Sequence, residues 1–316
     1  MALSRLSIVV PTRDTRGLTL ACLAAVAREL PRDGEIVVVD DGSRDGSADA
    51  IVAAHPTVRV LRHEASRGFS VAANAGLAAA TGDVLVLLNS DTEVLPGALA
   101  SLCRAIEGRP RLAAAGALLV EPDGRAQWSG GAVPDARWLF ALASGVAALA
   151  ARVPGYRRWR PVSGHRTGAV EWVPATAVAL RADAWREQGP FDEGFRLYAQ
   201  DLDLCLRLRA AAWEVAVVAD ARVIHHRGAT VAGLAGATAA RQQPELLWTD
   251  LLRAIAKQRG PEAAVAAARA LRRGAALRIA LRRCATPFVA RTYRPAWQRD
   301  SAAYVRARAA LSTTVR

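Results

Sequence analysis

Residues 35–43 read Glu-Ile-Val-Val-Val-Asp-Asp-Gly-Ser. From Ile36 on, the stretch 35–39 is apolar and β-branched, of strand length, and it is stopped at once by two aspartates and a glycine. A strand that is apolar at successive positions, not at alternate ones, is buried on both faces, as in parallel sheets covered by helices. The flanking sequence repeats the theme. Strand-like runs recur at 6–10, 58–61 and 84–88, and helical patterns fill 17–30, 47–55, 70–80 and 96–108. The alternation predicts an α/β protein with a mostly parallel central sheet flanked by helices. Ligands of such sheets bind beyond the carboxyl ends of the strands, so residues 11–14, 40–43 and 89–93 are the first places to look.

The chain has 316 residues, 52% of them apolar and 22% charged. That composition excludes a disordered chain and gives one large domain with an appendage, or two domains. The longest apolar run, 138–151, falls short of the roughly 18–20 residues of a membrane span. The N-terminus enters a strand pattern with no small-residue cleavage site, which predicts a cytoplasmic protein without a secretory signal. Cysteines at 22, 103, 205 and 284 have no CxxC spacing, so they read as small buried residues in a reducing compartment, not as a zinc site or a disulfide framework.

The net charge of +13 is unevenly placed. From residue 231 onward there are 16 Lys/Arg against 4 Asp/Glu, a net +12, and the first 230 residues carry only +1. Lys257 is the one lysine beside 41 arginines, a bias that fits a GC-rich genome. The pattern divides the chain into a body, 1–230, with an irregular insert at about 121–170, and a basic, mainly helical C-terminal extension, 231–316. Within the body, order resumes after the insert with a strand at 177–180, helices at 182–188 and 202–212, and a strand at 215–219. The extension carries helical patterns at 246–258 and 261–283.

Four constellations could carry chemistry. Asp40-Asp41-Gly42-Ser43 ends a buried strand; its carboxylates and hydroxyl suit a base and a ribose, and they equally suit a turn with a helix cap at Ser47. Asn89-Ser90-Asp91-Thr92-Glu93 also ends a strand, where Asp91 could hold a hard divalent cation or form part of a capped turn. In Gln200-Asp201-Leu202-Asp203, the i,i+4 spacing of Asp203 and Arg207 predicts an ion pair. Asp201 reads as an N-cap or as a general base; a helix N-terminus would lower its basicity. In His225-His226, adjacent strand residues face opposite ways, so at most one can face a site, as a core or surface residue or as a neutral nitrogen ligand. The absence of GxGxxG after the first strand, of GxxxxGK[ST] and of a GxSxG elbow disfavours dinucleotide, P-loop and elbow-type hydrolase chemistry.

The order of these pieces resembles family 2 glycosyltransferases. Ser7-Ile8-Val9-Val10-Pro11-Thr12, Val38-Val39-Asp40-Asp41-Gly42-Ser43, Gly68-Phe69 to Asn74-Ala75-Gly76, Gly82-Asp83 and Leu87-Leu88-Asn89-Ser90-Asp91 are similar to the nucleotide-binding half. Phe191-Asp192-Glu193-Gly194-Phe195, Gln200 to Arg207, and Val223-Ile224-His225-His226 are similar to the acceptor half, most of all in bacterial rhamnosyltransferase-like members. The resemblance covers about residues 5–230. It implies a GT-A fold and inverting transfer from a nucleotide-sugar donor, with dTDP-rhamnose or a UDP-hexose favoured, to a hydroxyl of a glycan or lipid-linked acceptor in cell-envelope polysaccharide synthesis. By the same resemblance Pro11, Thr12, Asp40, Asp41, Arg67, Ser90 and Asp91 bind the nucleotide-sugar. Asp91 and His225 hold a divalent cation, Mg²⁺ or Mn²⁺, and Asp201 is the catalytic base. Trp172, Ala175 and Gln200 border the acceptor. Gln200 stands where the family usually has an acid, and Ala175 and Ala212 stand where it usually has glycine. A non-catalytic sugar-nucleotide-binding or scaffold protein on the same fold is the alternative.

The basic extension could meet anionic lipid at the inner face of the cell membrane, or could pack as a solvated helical appendage; the body has no nucleic-acid reader motif. The run 138–151 could touch the bilayer or lie against the core. The functional reading requires residues 91, 201 and 225 to gather around one cleft over the sheet.

Overall fold

The computed structural model describes residues 5–146, 167–226 and 244–311. The basic stretch 156–160 and the end of the apolar run, 147–151, lie outside the described residues. The chain divides into two compact units. One comprises Met1–Ala132, Gly164–Gly194 and Gln200–Arg241, and the other Val133–Ser163, Phe195–Ala199 and Gln242–Arg316.

The first unit is built on a nine-stranded sheet. Its strands are β1 (Leu6–Thr12), β2 (Glu35–Asp40), β3 (Arg59–Arg62), β4 (Val84–Leu88), β5 (Thr92–Val94), β6 (Leu112–Val120), β7 (Gly168–Ala169), β8 (Ala177–Arg181) and β9 (Glu214–His225). They run in the order β3-β2-β1-β4-β8-β6-β9-β5, with β7 on β9. The helices of this unit are α1 (Arg16–Glu29), α2 (Ser47–Ala54), α3 (Phe69–Ala79), α4 (Ala98–Gly108), α6 (Ala182–Gln188) and α7 (Gln200–Ala210), and α5 (Ala136–Ser144) belongs to the other unit.

Alternation along each strand sorts side chains between two cores. Ile8, Val10, Val38, Val86 and Leu88 meet Leu23 and Val26 of α1, Ile51 of α2, and Leu99 and Leu102 of α4. Val9, Val37, Leu85 and Leu87 meet Ala73 and Leu77 of α3, Trp185 of α6, and Leu204 and Leu208 of α7. Each buried Val, Leu or Ile contributes about 1.5–3 kcal/mol relative to exposure, an upper estimate because the unfolded chain is already partly collapsed.

The strands β3-β2-β1-β4 are parallel, as the continuous apolar runs predict. Beyond β4 the sheet is mixed: β8 is antiparallel to β4 and β6, β6 is parallel to β9, and β5 is antiparallel to β9. Apolar content reports burial, not direction, so this change is invisible to periodicity. Strand β6 also escapes the sequence reading because Leu-Ala-Ala-Ala-Gly-Ala looks helical. Its small side chains are a packing requirement: a Cβ at Gly116 would lie 2.8 Å from Val173. Strand β9 is longer than expected and runs on through His225.

The second unit contains α5 and the C-terminal helices α8 (Pro244–Arg259), α9 (Pro261–Ala285) and α10 (Arg294–Ala310). Helix α5, capped by Asp135 accepting from the Trp138 N–H, packs on α9 and buries Leu139 and Ala143 there. Buried Trp248 of α8 meets the Tyr304 ring of α10 at 5.8 Å between centroids. The Arg278 guanidinium lies 4.2 Å over Tyr304, and Arg282 lies 4.4 Å over Trp297 and 3.4 Å from Asp300. Buried Asp250 accepts from the Leu197 and Tyr198 N–H groups at 3.0 and 2.9 Å. Cys22 and Cys205 are buried, whereas Cys284 is exposed on α9, contrary to its reading as a core residue; it falls on the solvent side of that helix. Among the described residues, no helix is long and apolar enough to cross a membrane.

Candidate active site

The carboxyl ends of β1, β2 and β4 meet at one edge of the first unit. Pro11 and Thr12 close β1 beside Val39 and Asp40 of β2. The Thr12 hydroxyl bonds with those of Thr15 and Thr19 at 2.9 and 2.7 Å, and Thr15 reaches Ser90 at 3.0 Å. This hydroxyl chain ties the end of β1 to the Asn-Ser-Asp segment after β4.

The turn after β2 divides the work of its two aspartates. Asp40 Oδ1 accepts from the Ser43 N–H at 3.1 Å, which closes the turn. Gly42 has φ +73°, and a Cβ there would lie 2.7 Å from the Ala65 and Ser66 backbone, so both conformation and space require glycine. Asp41 points into the following loop. Its Oδ1 accepts from His63 Nδ1 at 2.8 Å and the Arg67 N–H at 2.9 Å, and its Oδ2 from Ser66 Oγ at 2.7 Å and the Gly68 N–H at 2.9 Å. Burial alone would push its carboxyl up, but these four bonds outweigh burial and hold it below the usual carboxylate range. Asp41 thus fixes the loop that presents the exposed Arg67 side chain.

Strand pairing brings Asp91 to His225. Antiparallel register sets Thr92 opposite His225, and the His226 N–H donates to the Asp91 carbonyl at 2.9 Å. His225 Nε2 lies 3.8 Å from Asp91 Oδ1. Gln127 orients the ring: its Nε2 donates to the His225 carbonyl at 2.7 Å, so its Oε1 accepts from His225 Nδ1 at 2.9 Å. In the neutral imidazole this leaves Nε2 deprotonated toward Asp91. His226 pairs instead with Glu93 at 2.6 Å, so one histidine of the two faces the site.

The residues fit a divalent cation. Two ligands each about 2.1 Å from one ion lie up to about 4.2 Å apart, which admits the Asp91–His225 spacing. Asn89 Oδ1, two residues before Asp91, is buried and accepts no hydrogen bond among the described residues. No group of three or more His, Cys, Asp or Glu side chains forms a closed cage among them. A cation here would take few protein ligands and leave positions for phosphate oxygens, the habit of Mg²⁺.

Asp201 lies in the first turn of α7, which begins at Gln200, so it is not the residue preceding the helix. Its Oδ2 accepts from the Ala175 N–H at 3.1 Å and its Oδ1 from the Leu202 N–H at 2.8 Å. Those bonds and the helix end favour the ionised form, yet the pKa is pushed up to about 6 because burial dominates. The cause is visible around it: Val173, Val178, Leu180, Phe191 and Leu204 line a crevice with Asp201 of only about 10 Å³. Neighbouring Gln200 is buried, and its Oε1 accepts no hydrogen bond among the described residues. Asp203 and Arg207 form the expected ion pair at 3.0 Å.

Asp201 is connected to the end of β4. The Asn89 N–H donates to the Thr176 carbonyl at 2.8 Å, and Thr176 follows Ala175. Two hydrogen bonds and one peptide unit therefore join Asp201 to the Asn-Ser-Asp segment. Trp172, in the same strand approach, packs at a tilt against Trp128, 4.5 Å between centroids, and donates Nε1–H to the Ala132 carbonyl at 3.1 Å. Asn74 of α3 clasps the 191–194 turn, accepting from the Phe191 N–H and donating to its carbonyl, both at 2.9 Å. Sequence reasoning missed Gln127 and His63. Gln127 sits in a segment without periodicity, and His63 had only its position just after the third strand to mark it.

The family model described as "Glycosyl transferase family 2" matches residues 7–157. An N-acetylglucosaminyl-diphospho-decaprenol L-rhamnosyltransferase of Mycobacterium tuberculosis (strain CDC 1551 / Oshkosh) is 30% identical over 224 residues, spanning 65% of this chain and 70% of its own. A pre-mycofactocin glycosyltransferase of the same strain is 34% identical over 229 residues, spanning 70% of this chain and 43% of its own. Among solved structures, a mannosyltransferase from Pyrobaculum calidifontis, in complex with GDP-Man and Mn²⁺, superposes with a TM-score of 0.58 at 18% identity, covering 99% of this chain and 87% of its own. TarS 1-349 of S. aureus, in complex with UDP, gives 0.54 at 17% identity, covering 96% and 80%. Fold and sequence relatives together define a glycosyltransferase of the GT-A class. The chain belongs to glycosyltransferase family 2, and its sequence is rhamnosyltransferase-like.

Proposed function

We propose that this protein is an inverting, cation-dependent hexosyltransferase. It moves a sugar from a nucleotide-diphosphate donor, dTDP-rhamnose or a UDP-hexose, to a hydroxyl of a glycan or lipid-linked acceptor in cell-envelope polysaccharide synthesis. The observation that carries the reading is the link from Asp201, with its carboxyl near pKa 6, to the strand end where Asp91 faces His225. A general base works best with a pKa near the working pH. The likeness to a rhamnosyltransferase whose name specifies a diphospho-decaprenol-linked acceptor supports the acceptor class.

In the proposed step, the acceptor oxygen bonds to the anomeric carbon and the bond from that carbon to the diphosphate oxygen breaks. Asp201 takes the hydroxyl proton, and the nucleoside diphosphate leaves with the bonding electrons. One displacement inverts the anomeric configuration. Asp91 and His225 would hold a divalent cation, which when bound neutralises charge on the diphosphate. Thr12, Asp40 and the loop fixed by Asp41, with Arg67 on it, receive the nucleotide, and Pro11 and Ser90 shape the strand ends beneath it. Trp172, Ala175 and Gln200 border the acceptor. The basic C-terminal helices lie against anionic membrane, where a lipid-linked acceptor resides.

The test is nucleoside-diphosphate release by the purified protein from dTDP-rhamnose, UDP-galactose, UDP-glucose and GDP-mannose. Each is offered with and without Mg²⁺ or Mn²⁺ and a polyprenyl-diphosphate-linked sugar. Cation-dependent, acceptor-stimulated release from one donor, lost in Asp201→Asn, is expected. Donor binding without release under every condition would favour the non-catalytic alternative.

A further inference from the structure

Five of the six arginines of α9 fall into two groups. Arg278 and Arg282 face α10 and have structural partners, stacking on Tyr304 and Trp297, with Asp300 beside Arg282. Arg269, Arg272 and Arg273 lie on another face and are exposed. With Ala276 and, from α10, Arg308, they line a cleft of about 270 Å³ within the helical unit. Among the described residues, none of these three pairs with a carboxylate, and no acidic side chain lines the cleft. Glu262, in the first turn, is the single acid of α9.

This grouping costs stability. Arg269 is three and four residues from Arg272 and Arg273, and like charges at those spacings repel on a helix. Among the described residues, no aromatic ring or carboxylate pairs with Arg269, Arg272 or Arg273 to offset the repulsion. Several guanidinium forks around one concavity match the several oxygens of a phosphate, which arginine can bind with two parallel hydrogen bonds.

We propose that the Arg269, Arg272, Arg273 and Arg308 cleft is a binding site for phosphate groups, of a lipid headgroup or of a soluble diphosphate. The lipid form deepens the membrane reading given above and rests on it; the phosphate chemistry does not depend on sugar transfer.

The test compares two full-length variants of equal charge, each checked for unchanged circular dichroism. One is R269Q/R272Q/R273Q. The other is R283Q/R291Q/R299Q, which removes three exposed arginines that do not line the cleft. Both are floated with phosphatidylcholine vesicles with and without phosphatidylglycerol, and titrated with inorganic pyrophosphate in the absence of divalent cations. The cleft variant is expected to lose about tenfold or more in binding to anionic vesicles or to pyrophosphate, and the control less than about threefold. Loss with vesicles alone identifies a headgroup site, and loss with pyrophosphate identifies a site open to soluble diphosphates. Equal losses in both variants would overturn the cleft while leaving diffuse membrane attraction intact. If the wild-type chain ignores anionic vesicles, the membrane reading fails and pyrophosphate alone decides; no binding there overturns the cleft as well.

Discussion

The backbone N–H of Ala175 donates a 3.1 Å hydrogen bond to Asp201 Oδ2. The donor is main chain, so the bond survives the alanine that stands where the family usually has glycine. It also sets Asp201 against the strand that pairs with β4, and holds an ionised carboxylate among apolar neighbours.

Asp201→Asn is expected to lower transfer by about 10²–10⁴-fold with donor affinity unchanged, as calorimetry would check. Wild-type transfer should fall as pH drops through about 6, where the carboxyl protonates. The stability effect has the opposite sense. The folded pKa lies above the unfolded value, so ionisation opposes folding increasingly from about pH 4 to 6. Relative to wild type, Asp201→Asn should therefore gain up to about 3 kcal/mol between pH 4 and pH 8, offset throughout by about 1 kcal/mol for one lost acceptor. Urea titrations at both pH values giving a constant difference would contradict the burial account.

Gln127→Leu removes the acceptor that fixes the His225 ring. Loss of such a supporting partner costs about 10–100-fold in metal affinity. Mn²⁺ titration in the presence of donor should show that loss, and Asp91→Ala a larger one. Unchanged Mn²⁺ dependence in both variants would remove the cation from this strand pair.

Asp41→Asn should destabilise the fold by about 2–3 kcal/mol, because an amide cannot accept all four donors around it. The folded pKa is lowered, so the stabilisation from Asp41 is complete above the ordinary carboxylate range and is lost as pH falls below it. Chemical denaturation at pH 7 and pH 3 should therefore give a larger gap between variant and wild type at pH 7 than at pH 3.

Ala212 has φ +64° at the end of α7, where the Trp213 N–H reaches back to the Leu208 carbonyl at 2.9 Å. Glycine adopts that conformation without the Cβ penalty of about 1–2 kcal/mol. Ala212→Gly should raise the melting temperature by the equivalent of about 1 kcal/mol and leave turnover unchanged. A fall in melting temperature would mean that the strain is absent.

The parallel half of the fold was legible because β1, β2 and β4 are apolar runs ended by Pro11, Asp40 and Asn89. The mixed half was legible only in part: β8 reads as a strand, but its composition, like that of β4, does not give its direction, and β6 hides behind alanines that suit a helix as well. The Asp203–Arg207 ion pair followed from spacing alone. The meeting of Asp91 with His225 depended on a register that no local pattern encodes. The raised Asp201 pKa ran against the local signal, since its helix position argued for a stronger acid and only the surrounding Val173, Leu180 and Phe191 reverse that.

Strand β9 supplies His225 only at the far end of the first unit's sequence, and β5 gains its pairing partner only when β9 is in place. A nascent chain that has emerged as far as α7 already carries both aspartates, yet has no histidine to set against Asp91. Synthesis therefore brings the last of these three side chains to the sheet only after the rest of that scaffold has been made, and a fragment ending before residue 214 would lack both His225 and the pairing partner of β5.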